Sequence, residues 1–246
     1  MLSLENKTLL ITGKLTSLGK ACLHAAADAG AHIVVAGQGG GKCHEFVEEL
    51  QRTNILFFPC DLSEPGEVAA VVKRSALLFG NINIVLNNNV FYGSSSFQFC
   101  LEHELELLRM QEQGTIINIS AFIGQVGKDT SAHYVTARHG VPGFRSSTLL
   151  EYSARGVRIN AIGPGFTGVP FFTGSKGLLI HKEENCTENR MTPAEEALSN
   201  LFIFLASTES ATVFGTTLEV NSAVPSPQLL RRMRKGRGHF HFPGML

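Results

Sequence analysis

Residues 7–36, KTLLITGKLTSLGKACLHAAADAGAHIVVA, contain an apolar run, a turn with glycine, an alanine-rich stretch and a second apolar run. The two apolar runs, 7–12 and 32–36, are rich in aliphatic and β-branched residues and predict strands. The stretch 19–30 has the composition of a helix. Strand, helix and strand in succession predict parallel strands joined by a crossover helix.

The same alternation continues along the chain. Five further strands are predicted at ILFFP (55–59), INIVL (82–86), TIINI (115–119), VRINAI (157–162) and TTLEV (216–220). The helices between them are predicted at 44–52, 64–80, 97–113, 134–154 and 193–206. Apolar strands that alternate with helices indicate a parallel sheet buried on both faces. The sequence therefore predicts an α/β fold, with a doubly wound parallel sheet of about seven strands in a single domain.

Length and composition limit the function classes. The 246 residues suit one domain at 1–223, followed by a basic tail at 224–246 that we expect to be disordered. Lys plus Arg equals Asp plus Glu at 21 each, which favours neither a nucleic-acid nor a membrane partner. The N-terminus lacks the pattern of a signal peptide. The five cysteines are widely spaced without a C-x-x-C pair, so we expect reduced thiols, no metal site and an intracellular, cytoplasmic location.

The turn after the first strand suits a phosphate group. Backbone N–H groups at a helix N-terminus bind pyrophosphate, and Gly13 and Gly19 leave room for it, whereas Ser17 occupies the central position. A plain strand-to-helix turn is the alternative for this segment alone. Asp61 and the run Asn87–Asn89 also follow strands, at the sheet edge where ligands bind in open α/β sheets. Such residues also serve as simple helix caps.

Taken in order, these segments resemble the short-chain dehydrogenase/reductase family over residues 4–221. TGKLTSLG (12–19) is similar to the family's TGxxxGxG, with Ser17 for the middle glycine, and LNNNV (86–90) is similar to its NNAG. The remaining matches are DLS (61–63), HYVTARHGVPGF (133–144), RINAIGPGF (158–166) and LEVNSA (218–223). The resemblance implies a Rossmann-type fold and hydride transfer between a nicotinamide and a small-molecule carbonyl or alcohol.

The resemblance places the general acid/base at Tyr134. A free tyrosine has a pKa near ~10, so it needs a nearby cation to exchange protons near neutrality. Arg138 lies four residues later, on the same face of a helix, where the family carries lysine. Arginine keeps the charge but does not give up a proton, so we expect Arg138 to replace the lysine only in part.

The resemblance also implies a cofactor site. It consists of Gly13, Leu18, Gly19, Asp61, Asn87, Tyr134, Arg138 and Thr167. The second strand ends in Ala36-Gly37-Gln38, without the acid that would hold a ribose 2′-hydroxyl, so we expect NADP, with NAD as the alternative.

Besides Arg138, three further departures from the family pattern lie in the second half of the site. Ala121 stands where the substrate-polarising serine is expected, and Ser120 is one place too early. Asn87 and Ala121 are only 34 positions apart, so 97–113 supplies one helix where the family has more. Pro142 falls inside the predicted helix that carries Tyr134.

Two alternatives to an intact, active enzyme follow from these departures. One is a non-catalytic descendant that binds a dinucleotide or a partner, and the other is an active enzyme whose chain has lost an exon. The short middle segment is also expected to weaken a homo-oligomer and to leave part of one sheet face exposed.

Overall fold

The computed structural model describes residues 2–13, 15–38, 42–88, 94–119, 151–164 and 193–220. Within these ranges the chain forms a seven-stranded sheet with the strand order β3-β2-β1-β4-β5-β6-β7. Every neighbouring pair is parallel. The strands are β1 (Thr8–Gly13), β2 (His32–Gly37), β3 (Ile55–Pro59), β4 (Ile84–Asn88), β5 (Gly114–Ile119), β6 (Val157–Pro164) and β7 (Thr217–Val220). The predicted doubly wound α/β sheet is confirmed.

Five α-helices connect the described strands. They are α1 (Ser17–Asp28), α2 (Lys42–Glu49), α3 (Pro65–Phe79), α4 (Ser94–Gln111) and α5 (Pro193–Ala206), with short 3₁₀ turns at Ser153–Arg155 and Thr208–Ser210. α1 begins two residues before the predicted start, because Thr16 caps it: the Thr16 Oγ1 accepts a hydrogen bond from the Gly19 N–H at 3.2 Å. The helix predicted at 134–154 lies almost entirely outside the described residues.

The helices divide between the two faces of the sheet. α1 and α5 pack against each other on one face, and α3 and α4 pack against each other on the other. Alternate residues of each strand join the two cores: Leu9 and Ile11 of β1 lie in the α1 core, whereas Leu10 lies in the α4 core. This alternation follows from the two-residue period of a strand, and it decides which face each site residue reaches.

The sheet face beside the short connection between β4 and β5 is better covered than the sequence indicates. α4 buries Cys100, Leu101, Leu105 and Leu108, and the sheet residues Val85 and Ile116 of the same core are also buried. The expectation of an exposed sheet face is therefore wrong at β4 and β5. Large apolar side chains that are exposed on α3 and α4 are Leu77, Leu78 and Met110.

No helix in the part of the chain that the structure describes is both long and apolar enough to cross a membrane. The described cysteines (Cys22, Cys43, Cys60 and Cys100) are free thiols. β7 ends at Val220, and the tail predicted at 224–246 lies outside the described residues.

Candidate functional site

The turn between β1 and α1 has the geometry of a phosphate-binding turn. β1 ends at Gly13, whose φ of 110° is a backbone conformation that favours glycine. A Cβ atom added to Gly19 would lie 2.5 Å from the Asn88 Nδ2, so only glycine allows α1 to approach the end of β4 this closely. The Asn88 Nδ2 donates a hydrogen bond to the Thr16 Oγ1 at 3.3 Å. The predicted pair Gly13 and Gly19 is thus brought together with the end of β4.

Ser17 replaces the family's middle glycine without backbone strain, because it is the first residue of α1 and does not have a positive φ. Its Oγ is buried and has no hydrogen-bond partner. An orphaned hydroxyl at a helix N-terminus is a donor that an anionic oxygen can use. The side chain of Leu18 packs into the α1 core at 1% exposure, so only its backbone can take the predicted cofactor contact.

Asp61 lies at the end of β3, next to the end of β2. Its Oδ1 accepts hydrogen bonds from the Ser63 hydroxyl at 2.6 Å and the Ser63 N–H at 2.9 Å. These bonds, with a further one to Gln38, hold the pKa of the Asp61 carboxyl below its usual value. Asp61 is therefore a fixed, ionised acceptor at the same sheet edge as the glycine turn.

Three polar side chains form a row across the sheet on the α4 face. Strand register places Thr12 beside Asn87 and Asn87 beside Asn118. The Thr12 Oγ1 donates to the Asn87 Oδ1 at 2.6 Å, and the Asn87 Nδ2 donates to the Asn118 Oδ1 at 3.1 Å. We call Thr12, Asn87 and Asn118 the polar row; all three are at most 2% exposed.

Glu104 of α4 completes the polar row from the helix layer. The Asn87 Nδ2 donates its other hydrogen to the Glu104 Oε2 at 2.8 Å, whereas the Glu104 Oε1 has no partner. Burial raises the pKa of this carboxyl to about 8, and the Asn87 hydrogen bond opposes the rise only in part. Both amide hydrogens of Asn87 are used within the protein, so a cofactor contact of Asn87 must come mainly from its backbone.

Sequence reasoning missed Glu104, although a signal exists. Leu101, Leu105 and Leu108 form the buried stripe of α4, and Glu104 lies within that stripe. A lone acid among the inward positions of an amphipathic helix indicates a buried carboxyl that needs a polar partner.

The remaining predicted site residues, Tyr134, Arg138 and Thr167, lie outside the described residues, as do Ser120, Ala121 and Pro142. Among the described residues, no group of three or more His, Cys, Asp or Glu side chains is placed to hold a metal ion.

The described residues fit a dinucleotide. A glycine turn, a capped helix N-terminus with an orphaned hydroxyl, and an ionised Asp61 lie along one carboxyl edge of a parallel sheet. This sheet order is that of a Rossmann-type fold, in which ligands bind along the carboxyl edge of the sheet. Residues 7–104 match the family model described as short chain dehydrogenase, and residues 92–222 match the one described as enoyl-(acyl carrier protein) reductase. The chain belongs to the short-chain dehydrogenase/reductase family of NAD(P)-dependent oxidoreductases.

Individual relatives agree with this assignment. The chain is 25% identical over 242 residues to a 3-oxoacyl-[acyl-carrier-protein] reductase of Staphylococcus aureus, covering 89% of this chain and 98% of the relative. It is 25% identical over 250 residues to a D-beta-hydroxybutyrate dehydrogenase of Rhizobium meliloti, covering 87% and 97%. A short-chain type dehydrogenase/reductase from Mycobacterium ulcerans has the same fold, with a TM-score of 0.72 at 18% identity and coverage of 89% and 90%.

Proposed function

We propose that the chain, through a domain at 1–223, transfers a hydride between NADP(H) and a small-molecule carbonyl or alcohol. The observation that supports this proposal is the carboxyl edge of the sheet, where Gly13 and Gly19 leave room for a phosphate group and the buried Ser17 hydroxyl has no partner. The names of the two relatives describe a reductase of a 3-oxoacyl group and a dehydrogenase of a hydroxy acid, one for each direction of such a reaction.

The described residues have separate tasks toward a dinucleotide. A pyrophosphate needs hydrogen-bond donors, and these are the N–H groups at the start of α1 and the Ser17 hydroxyl. Asp61 supplies an ionised acceptor two strands away, where the adenine end is expected. β2 ends at Gly37 and is followed by Gln38, and neither residue brings a carboxylate that would repel a 2′-phosphate, so NADP is preferred over NAD.

The proton transfer is assigned to Tyr134. The nicotinamide supplies or accepts the hydride, and the Tyr134 hydroxyl donates a proton to the substrate oxygen during reduction and takes one back during oxidation. Arg138, four residues later, favours the tyrosinate form by its charge. Because a guanidinium does not release its proton, Arg138 does not act as the relay that lysine provides.

A second candidate function is dinucleotide binding without turnover. Ala121 stands where a hydroxyl that polarises the substrate is expected, and the loss of one such donor costs ~10²–10³ in rate. The two candidates share the cofactor site and differ only in turnover, so one set of measurements separates them.

The first measurement is a fluorescence titration with NADPH. We expect weak binding, because the turn keeps Gly13 and Gly19 but has the Ser17 side chain where the family has its middle glycine, and a hydrogen bond from the Ser17 hydroxyl offsets this loss only in part. Absence of binding at millimolar NADPH would overturn the cofactor assignment. Titrations with NADP and NAD in the same assay show which of the two cofactors the protein binds more tightly.

The second measurement is carbonyl reduction by the wild type, Tyr134→Phe and the control Tyr152→Phe. Tyr152 is a half-buried tyrosine beside the α4 core. We expect Tyr134→Phe to abolish turnover, and the control Tyr152→Phe to keep both turnover and NADPH binding. Activity that survives Tyr134→Phe would contradict the proposed acid, and binding without any wild-type turnover would establish the second candidate.

A further inference from the structure

Glu104 bonds to Asn87 between the ends of two strands, β1 and β5, that lead into segments of the proposed site. The polar row occupies the α4 face, two residues beyond the apolar row of Leu10, Val85 and Ile116. Thr12 directly precedes Gly13 of the phosphate turn, and Asn118 lies three residues before Ala121. Glu104 therefore contacts the only described amide that bridges both of these segments, that of Asn87.

The described residues around Glu104 do not stabilise a charge. The side chain is 1% exposed and accepts one hydrogen bond, from a neutral amide, while the Oε1 is buried without a partner. β1, β4 and β5 present the uncharged Thr12, Asn87 and Asn118. A carboxylate in such a place loses its hydration without compensation, so the neutral acid is favoured.

Among the described residues, the side chains that the other elements bury in this core are also uncharged. α3 packs on α4 and buries Val68, Val71, Val72 and Ser75. The thiols of the core are Cys60, whose pKa burial raises to about 11, and Cys100 on α4 itself. The charged residues next to Glu104 on α4, Glu102 and Glu106, are exposed to water.

We propose that Glu104 is a positioning residue of the cofactor site, whose neutral carboxyl fixes the amide of Asn87 and, through it, the ends of β1 and β5. The cofactor part of this inference rests on the proposed function. Asn87 is held by Thr12, Asn118 and Glu104. Because it bonds to both β1 and β5, its orientation sets the distance between the phosphate turn after β1 and the segment that follows β5. Loss of the Glu104 acceptor leaves one buried amide hydrogen unpaired and loosens that arrangement.

The first test is urea unfolding of the cofactor-free protein between pH 5 and 9, for the wild type, Glu104→Gln and the matched control Glu106→Gln. The folded pKa of Glu104 is about 8 against an ordinary 4.5, so the folded state holds a proton that the unfolded state releases between these values. Stability is therefore greatest at the acid end, falls as the pH rises toward about 8, and is flat above it. The folded-to-unfolded ratio falls by up to about tenfold per pH unit from this one group.

We expect this decline in the wild type and in Glu106→Gln, and a shallower decline in Glu104→Gln, which cannot ionise. Equal pH dependence in all three proteins would show that Glu104 is not a neutral buried acid and would overturn the inference. A purely structural role of the side chain, without the neutral carboxyl, would not produce this difference between the two glutamine variants.

The second test addresses positioning, with NADPH titrations of Glu104→Gln and Glu104→Met at pH 7. Glutamine keeps an acceptor for the Asn87 Nδ2, whereas methionine has similar length but no such acceptor. We expect glutamine to retain affinity and methionine to lose about tenfold, the effect of one buried hydrogen bond. Equal affinity of a folded Glu104→Met and the wild type would overturn the inference.

The two proposals fail in different ways. If neither the wild type nor any variant binds NADPH, the proposed function fails. The NMR resonances of the Asn87 side-chain amide then test the role of Glu104: they should move in Glu104→Met and much less in Glu104→Gln. If Glu104→Met does not fold, the pH dependence of Glu104→Gln against the wild type decides it alone.

Discussion

The two faces of the sheet differ at its carboxyl edge. On the α1 face, glycine at position 19 and the orphaned hydroxyl of Ser17 leave room and a donor for a ligand. On the α4 face, the polar row and Glu104 bond to one another in a region that is almost free of solvent. The α1 face of the edge has the features that the proposed cofactor site needs, and the α4 face joins the strand ends to one another.

Asn87 and Asn88 show this difference within one dipeptide. They are consecutive residues of β4, so their side chains point to opposite faces. Asn88 donates to the cap of α1, beside the phosphate turn. Asn87 joins β1, β5 and α4. Two identical residues, one position apart, therefore have different tasks, which only the strand period distinguishes.

The largest effect is expected from Asn87→Ala compared with Asn88→Ala. Removal of the Asn87 amide leaves the Thr12 hydroxyl, the Asn118 carbonyl and the Glu104 carboxyl without their partner in a buried place. We expect a loss of about 3 kcal/mol in the free energy of unfolding, against about 1 kcal/mol for Asn88→Ala. Urea unfolding measures both. Equal losses would show that the α4 face does not stabilise the edge more than the α1 face does.

A smaller effect is expected from Gly19→Ala. The new methyl group would meet the Asn88 Nδ2 at 2.5 Å, so the amide must move away from the Thr16 cap. We expect a loss of about 1–2 kcal/mol in stability, together with weaker NADPH binding.

The control for this change is Gly66→Ala on α3, where an added Cβ meets nothing within 4 Å. That variant should be slightly more stable than the wild type, by about 0.5–1 kcal/mol, because alanine favours a helix. In the double variant Gly19→Ala with Asn88→Ala, part of the loss should be recovered. Additive losses would mean that the two residues do not collide.

The fold was predictable because its signals are repeated. The first four strands are apolar runs that are each followed by a helix. The ILFFP strand and the helix at 193–206 have the predicted bounds. The glycine turn and Asp61 could also be located from the sequence, since a binding turn requires particular residues at particular places after a strand. Glu104 was not predicted, because its importance depends on which strand faces α4, and register is a property of the assembled sheet. The coverage of β4 and β5 was misjudged for a similar reason: counting helices does not give the area that one long helix buries.

The smallest effect, with opposite signs in two measurements, is expected from Ser17→Ala. In the cofactor-free protein the Ser17 hydroxyl is buried without a partner, which costs free energy, so its removal should stabilise the fold by about 0.5–1 kcal/mol. If the same hydroxyl donates to a phosphate oxygen, its removal should weaken NADPH binding by about tenfold. Thr16→Ala is the contrast, because it removes the cap of α1 and should lower stability by about 1 kcal/mol. Thermal melting with and without NADPH compares the variants directly. A Ser17→Ala protein that is more stable and binds NADPH as well as the wild type would show that the hydroxyl is only a defect of packing, and that the α1 face recognises the cofactor through its backbone alone.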